Sequence, residues 1–301
     1  YALSLVLTIP GVISLFVWGL NVGIDFNGGS LQQVSYSGDR PAIEEIRGSI
    51  SSTGATGVSV QSSGEKDVII RFANEGDTTG RELGNKIIGA LKDDGKHEVS
   101  EKTFESIGGS IAANTTRNAV WAIVLASIAL IIYISAVFGS VPAPASSWRF
   151  GVSAIAALLH DLLIMIGLFS ILGHFYPSIE VDALFITAVL TVLGFSVNDT
   201  IVVFDRIREN LRRRPDLSFE DVANESLNQT IARSINTSAT VLVVLMALLL
   251  LGGESIRSFI LALTIGVAIG TYSSIFNATP LLVSWQNAVE RKTGIVTGKK
   301  R

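Results

Sequence analysis

Six stretches of this 301-residue chain stay apolar for long enough to cross a lipid bilayer: about 2–20, 118–138, 150–172, 183–204, 234–251 and 258–285. A hydrocarbon core of about 30 Å takes roughly 20 helical residues, so each stretch reads as one spanning helix. Helices are the required form, because a helix satisfies its own backbone amides where no water can. Only 16% of the residues are charged, against about 25% in soluble domains. Those charges are also unevenly placed: 10 of the 23 basic and 14 of the 26 acidic residues fall between Asn21 and Arg117. The pattern predicts a polytopic α-helical membrane protein with one polar domain inserted between its first and second helices. The boundaries are 1–20 for the first helix, 21–117 for the insert, 118–285 for the other five helices and 286–301 for a tail.

Basic residues set the orientation, since Lys and Arg in short loops stay on the cytoplasmic side. Twelve of them lie in the loops 139–149 and 205–233 and after Trp285, including Arg212, Arg213 and Arg214. The opposite loops carry one, Arg257. Both termini are therefore expected in the cytoplasm and the insert is expected to be exported. The first span lacks a basic leader segment and a small-x-small site after it, so it reads as retained rather than cleaved. The absence of an initiator Met before Tyr1 points to a leader or preceding domain outside the sequence.

Within the insert, residues 30–37 alternate like a strand, and Asp39 with Pro41 opens a helix through Ile43, Ile46 and Ile50. Strands at 56–61 and 67–73, a helix at 79–92 and a strand at 98–104 follow. This strand, helix, strand, strand, helix, strand order is that of the ferredoxin-like α+β motif.

Several chemistries are excluded or disfavoured. With no cysteine there is no disulfide, thiolate site or cysteine nucleophile. His97, His160 and His174 are too scattered for a metal pair, so no metal and no cofactor is expected. A net charge of −3 offers no field for nucleic acid. No catalytic residue is assigned; an intramembrane protease would need a nucleophile paired with His160, and none stands at a recognisable spacing.

An ionisable group inside a span costs about 2.5–3.5 kcal/mol on insertion scales, so each one calls for an explanation. His160-Asp161 falls near the middle of the third span, roughly 15 Å from its cytoplasmic end. Asn198-Asp199-Thr200 lies in the last turns of the fourth, and Arg233 opens the fifth, ahead of Asn236, Thr237 and Ser238. A carboxyl group in low dielectric binds its proton more tightly and a neighbouring guanidinium loosens it, so an Asp that approaches and leaves an Arg can load and release protons. Asp199 is the first choice as carrier, with Arg233 as its counter-charge and Asp161 as a second station. Plainer readings stand beside these: Arg233 reaching for headgroups, His160 bonding a neighbouring helix, Asp161 a neutral packing acid. Gly266 and Gly270 form a GxxxG pair that lets another helix come close. In Gly23-Ile24-Asp25-Phe26-Asn27-Gly28-Gly29 the glycines permit positive φ and Asp25 can cap exposed amides, which suits a structural joint. No Gly-Lys-Ser/Thr follows, so it is not a phosphate loop.

Taken with His160-Asp161, these blocks resemble the SecF subunits of the bacterial SecD-SecF protein-export family. The blocks are 23–29, Val197-Asn198-Asp199-Thr200 through Phe204-Asp205-Arg206-Ile207-Arg208-Glu209-Asn210, Gln229-Thr230 with Arg233 through Ser238, and Gly270-Thr271-Tyr272-Ser273-Ser274-Ile275-Phe276. Asn27, Ser234 and Asn277 depart from the usual residues of that family. The resemblance implies half of a resistance-nodulation-division assembly in the bacterial inner membrane, paired with a SecD-like subunit. It also implies action with the SecYEG channel and the SecA ATPase, drawing on the proton gradient to move an emerging unfolded polypeptide. In the family the aspartate of the Asn-Asp-Thr block and the arginine of the span-five block line the ion path; here they are Asp199 and Arg233. Some members are thought to use sodium, and a carboxylate among amides and hydroxyls suits either ion. A small-molecule or lipid exporter of the same superfamily and a passive scaffold for the channel are the competing functions.

Overall fold

The computed structural model describes residues 2–74, 79–92, 97–139, 145–253 and 256–293. In chain order the elements are α1 (Ala2–Val17), α2 (Ile24–Asn27), β1 (Gly29–Tyr36), α3 (Ile43–Ser51), β2 (Ser59–Ser63), β3 (Asp67–Phe72), α4 (Gly80–Lys92) and β4 (Val99–Ile107). Then come α5 (Gly109–Val137), α6 (Ser147–Phe175), α7 (Ala183–Arg213), α8 (Phe219–Leu251), α9 (Arg257–Ser273), a π-helical turn (Ser274–Ala278) and α10 (Thr279–Thr293). They divide into a sheet unit, residues 21–120 with 176–183, and a helical unit holding the other described residues.

Five helical stretches are long and apolar enough to cross a membrane: Gly109–Val137, Ser147–Phe175, Ala183–Arg213, Phe219–Leu251 and Arg257–Lys292. The first expected span, 2–20, is shorter than read from hydrophobicity. Its helix has 16 residues, roughly 24 Å at 1.5 Å per residue, and it stops because Gly19 turns into the left-handed region at φ 71°. The last expected span, 258–285, is broken by the π-helical turn, which apolarity does not reveal. Part of the expected 139–149 loop and residues 294–301 of the expected tail, with Lys299, Lys300 and Arg301, lie outside the described residues.

Large apolar side chains stand exposed on α1, α5 and α8; Phe16 and Leu251 are each 88% exposed. In water such faces would be a large sticky surface, whereas in lipid they need no cover. The chain is a membrane-embedded, multi-pass protein. Its helices meet where side chains are smallest. A Cβ at Gly167 on α6 would sit 2.6 Å from the Gly11 Cα of α1, and Ser14 Oγ lies 2.6 Å from Ser170 Oγ one turn on. On α9, a Cβ at Gly266 would come 2.2 Å from Val192 Cγ2, and one at Gly270 would come 3.0 Å from Ser196 Cβ of α7. Dispersion between closely approaching backbones replaces the hydrophobic effect as the packing force in lipid.

In the sheet unit the strands lie in the order β2-β3-β1-β4, every neighbour antiparallel. Period-2 alternation puts Val34, Tyr36, Val68, Ile70 and Phe72 on one face, where they pack with Ile46 and Ile50 of α3 and Ile87 and Leu91 of α4. Toward the start of β1 the same face turns polar. Ser30 meets Asn74 and Ser106, Gln32 donates to Glu101 at 2.7 Å, and α4 comes close only because Gly80 and Gly84 have no side chain. A bulge between Gln33 and Val34 interrupts the β1–β4 register.

Candidate functional site

The polar residues of the helical unit gather into two joined clusters. Asp161, 2% exposed, accepts from Ser196 Oγ of α7 at 2.5 Å and meets His160 Nδ1 at 3.0 Å. The other ring nitrogen of His160 lies 3.3 Å from Asn277 Nδ2 in the π-helical turn, and Asn277 Oδ1 accepts from Ser4 Oγ of α1 at 2.7 Å. The orientation of the Asn277 amide sets where the ring protons lie. The Asn277 amide, with its oxygen committed to Ser4, donates to Nε2, which leaves Nδ1 to carry the proton and donate to Asp161.

Asp199, 8% exposed, accepts from Ser234 Oγ of α8 at 2.6 Å and from Ser274 Oγ of the π-helical turn at 2.7 Å. Ser196 and Asp199 stand three residues apart on α7 and so share a face. The π-helical turn likewise reaches one cluster through Ser274 and the other through Asn277. Two elements therefore connect both carboxylates, and an extra residue in a helical turn is a feature that recurs at functional sites. Thr271 Oγ1, 2.5 Å from Ser238 Oγ, extends the hydroxyl set between α9 and α8.

Of the residues singled out in the sequence, Asp161, Asp199, Thr200 and Gly270 are buried in this region. Asn198 and Arg233 are exposed. The expected pairing of Arg233 with Asp199 is not found: among the described residues Arg233 has no ion pair, and hydroxyls occupy both Asp199 oxygens. The reason is helical phase. Ser234 faces inward, so Arg233, about 100° around α8, faces away. Ser4, Ser196, Ser234, Ser274 and Asn277 were not assigned as site residues from sequence. Serines in an apolar helix look like packing residues until their partners are known. The stretch 23–29 sits in the sheet unit. Gly28 and Gly29 have φ of 74° and 121°, a Cβ at Gly29 would lie 2.9 Å from the Phe72 carbonyl oxygen, and Asp25 Oδ2 accepts from the Ala183 amide at 2.8 Å. A Cβ at Gly23 would come 3.3 Å from Glu180 Oε2. No group of three or more potential metal ligands occurs among the described residues.

Comparison with known proteins adds the family. Residues 86–288 match the family model described as "Protein export membrane protein SecD/SecF, C-terminal". The chain is 44% identical to the "Protein translocase subunit SecF" of Thermobaculum terrenum over 95% of this chain and 91% of that one. It is 36% identical to the "Protein translocase subunit SecDF" of Bacillus subtilis, over 97% of this chain and 38% of the relative. Among solved structures, the SecDF of Thermus thermophilus, titled a translocon-associated membrane protein, superposes with a TM-score of 0.81 at 30% identity, covering 95% of this chain. The chain spans 37% of that SecDF. With a family model over two thirds of its residues and relatives aligned across nearly its whole length, the chain belongs to the SecF family of protein translocase subunits.

Proposed function

We propose that this chain is an accessory membrane subunit of the Sec translocation machinery that works with a SecD-like partner and draws on the proton gradient for late steps of polypeptide export. The observation that carries this reading is Asp199: a nearly buried carboxyl in a spanning helix, held by two hydroxyls and, among the described residues, by no cation. A hydroxyl donates to a carboxylate and accepts from a carboxylic acid, so Ser234 and Ser274 accommodate either protonation state. Asn198, Arg233, Asn236 and Thr237 are exposed on α7 and α8 although lipid gives such groups no partner. A second helical half would cover this face, and a rotation of α8 that turns Arg233 toward Asp199 would then complete an ion path with Thr200, Asn198 and Asp161 along it. The fused SecDF relatives, of which this chain matches little more than a third, support a SecD-like occupant.

On this reading α1 is a short sixth span, residues 21–117 are an exported ferredoxin-like domain, 118–285 are the remaining helices and 286–301 the tail. The strand order β2-β3-β1-β4 supports the middle assignment. Both termini lie in the cytoplasm of an inner-membrane protein, and the emerging polypeptide, the SecYEG channel and SecA are its wider partners. Asp25, with Gly23, Gly28 and Gly29, forms the joint at the membrane exit. The test is completion of export in vesicles carrying the assembled complex, with a proton gradient, a sodium gradient or neither. Asp199→Asn is expected to remove the proton-gradient stimulation while the complex still co-purifies. Equal stimulation of variant and wild type would refute the carrier role, and stimulation by sodium alone would refute the proton.

A further inference from the structure

The loop between α6 and α7 belongs to the sheet unit, and its attachment there is unusually complete. Residues 176–182 run beside the stretch that follows α1. Val22 and Val181 form a parallel bridge, the Gly23 amide donates to the Val181 carbonyl at 2.9 Å, and the Val181 amide donates to the Asn21 carbonyl at 2.8 Å. The Asn21 side chain donates to the carbonyls of Pro177 and Ile179, and Gln61 of β2 donates to Pro177 as well, at 2.8 Å. Arg71 Nε of β3 meets Glu180 Oε1 at 2.8 Å, their side chains only 14% and 13% exposed. Ala183, the first residue of α7, is held through its amide by Asp25.

The ion pair is placed against its own solvation. Burial pushes Glu180 up to about 7 in spite of Arg71, with Asp182 and Asp25 adding repulsion, and burial draws Arg71 down. For both partners the loss of water outweighs the attraction, so the pair is poor value as a source of stability. What it supplies is a directional contact between β3 and the middle of the loop, beside the backbone bonds at Val181 and the Asp25 carboxylate at Ala183. The helix that starts one residue past Asp182 carries Ser196 and Asp199, the latter 16 residues from Ala183, roughly 24 Å along a rigid helix.

We propose that Arg71 and Glu180, with Asp25, are coupling residues: they tie the start of α7 to the sheet of the exported domain, so that a displacement of α7 is passed to that domain. The role is one of positioning, and it rests on the proton-driven reading above. It assigns work to three charged residues outside the membrane that an ion path alone leaves unused.

The experiment measures two quantities in the same vesicles with the assembled complex: gradient-stimulated export, and gradient-driven proton entry reported by an internal pH dye. Arg71→Glu is expected to reduce stimulated export at least fivefold while proton entry continues, and Arg71→Glu with Glu180→Arg is expected to restore export to within twofold. Hydrogen exchange at the Val181 and Ala183 amides reports whether the loop has been released. Should exchange show that Arg71→Glu unfolds the sheet itself, Glu180→Arg alone, which sets two guanidinium groups against each other at the same contact, is expected to give the same uncoupling. Unchanged stimulation with the loop released overturns the coupling, as does a charge swap that restores amide protection but not export. A wild-type complex with no gradient stimulation would instead overturn the functional reading, and this inference with it.

Discussion

Replacing Glu180 by Gln removes a titration that the fold moves close to neutral pH, and the consequence can be worked out. Glu180 is raised from its ordinary 4.5 to about 7 by burial between β3 and the loop, against the pull of Arg71. Freed from the sheet unit, the loop would return it to the ordinary value. The docked loop therefore favours the protonated acid. Its contribution to docking is complete below about pH 4.5 and is lost as pH rises through about 7. One pKa unit is worth about 1.4 kcal/mol, so between pH 5 and pH 8 docking should weaken by about 2–3 kcal/mol, roughly 30- to 150-fold in the opening equilibrium. Hydrogen exchange of the Val181 amide, measured on the whole chain in lipid discs and corrected for the intrinsic pH dependence of exchange, reads this equilibrium directly. Protection should fall across that range in the wild type and stay flat in Glu180→Gln. A flat wild-type profile, or one that loosens toward acid, would refute the account of Glu180. With the expected sign, acid grips the loop more firmly and alkali loosens it.

Two further substitutions test the packing of the helical unit. Gly167→Ala would place a Cβ 2.6 Å from the Gly11 backbone, so α1 and α6 must separate; overpacking of this kind costs about 1–3 kcal/mol, and a lowered thermal midpoint in detergent is the expected reading. Asn277→Leu strips His160 Nε2 and Ser4 Oγ of their shared partner. Ser4 keeps its contact with the Tyr272 hydroxyl at 3.3 Å, but leaving the His160 nitrogen unpaired costs about 1–3 kcal/mol, and the ring-nitrogen shifts of His160 should show that the Nδ1–H form is no longer enforced.

How far the sequence reaches depends on the kind of information each feature needs. The helices α5 to α8 are legible because lipid imposes a length and an apolarity that no loop can imitate. The order of elements in the sheet unit is legible because alternation and helical periodicity differ over five or more residues. The end of α1 at Val17, three residues short of the apolar boundary, is not legible in this way, since Trp18 and Leu20 carry the apolar run onward and only the left-handed turn at Gly19 stops the helix. The π-helical turn escapes for a similar reason: Ser273 and Ser274 continue the helix in composition while their hydrogen bonds shift by one residue.

The same division runs through the candidate site. A carboxylate inside a span is conspicuous by composition alone, so Asp161 and Asp199 are found without a structure, because the energetic penalty belongs to the residue itself. Which groups share the burden is a property of pairs, and pairs are set by helix phase and crossing. That is why Ser234 and Ser274 flank Asp199 while Arg233 points away, and why Asn277 closes a chain of bonds from α1 to Asp161. It is also why Arg71 and Glu180, 109 positions apart and each unremarkable on a polar surface, meet under cover. The sequence by itself determined the solvent, the place of the five long spans and the presence of acid within them. Only the tertiary structure decided what that acid touches, because hydrogen bonds are made at about 3 Å and hydrophobic patterning resolves no more than the face of a helix.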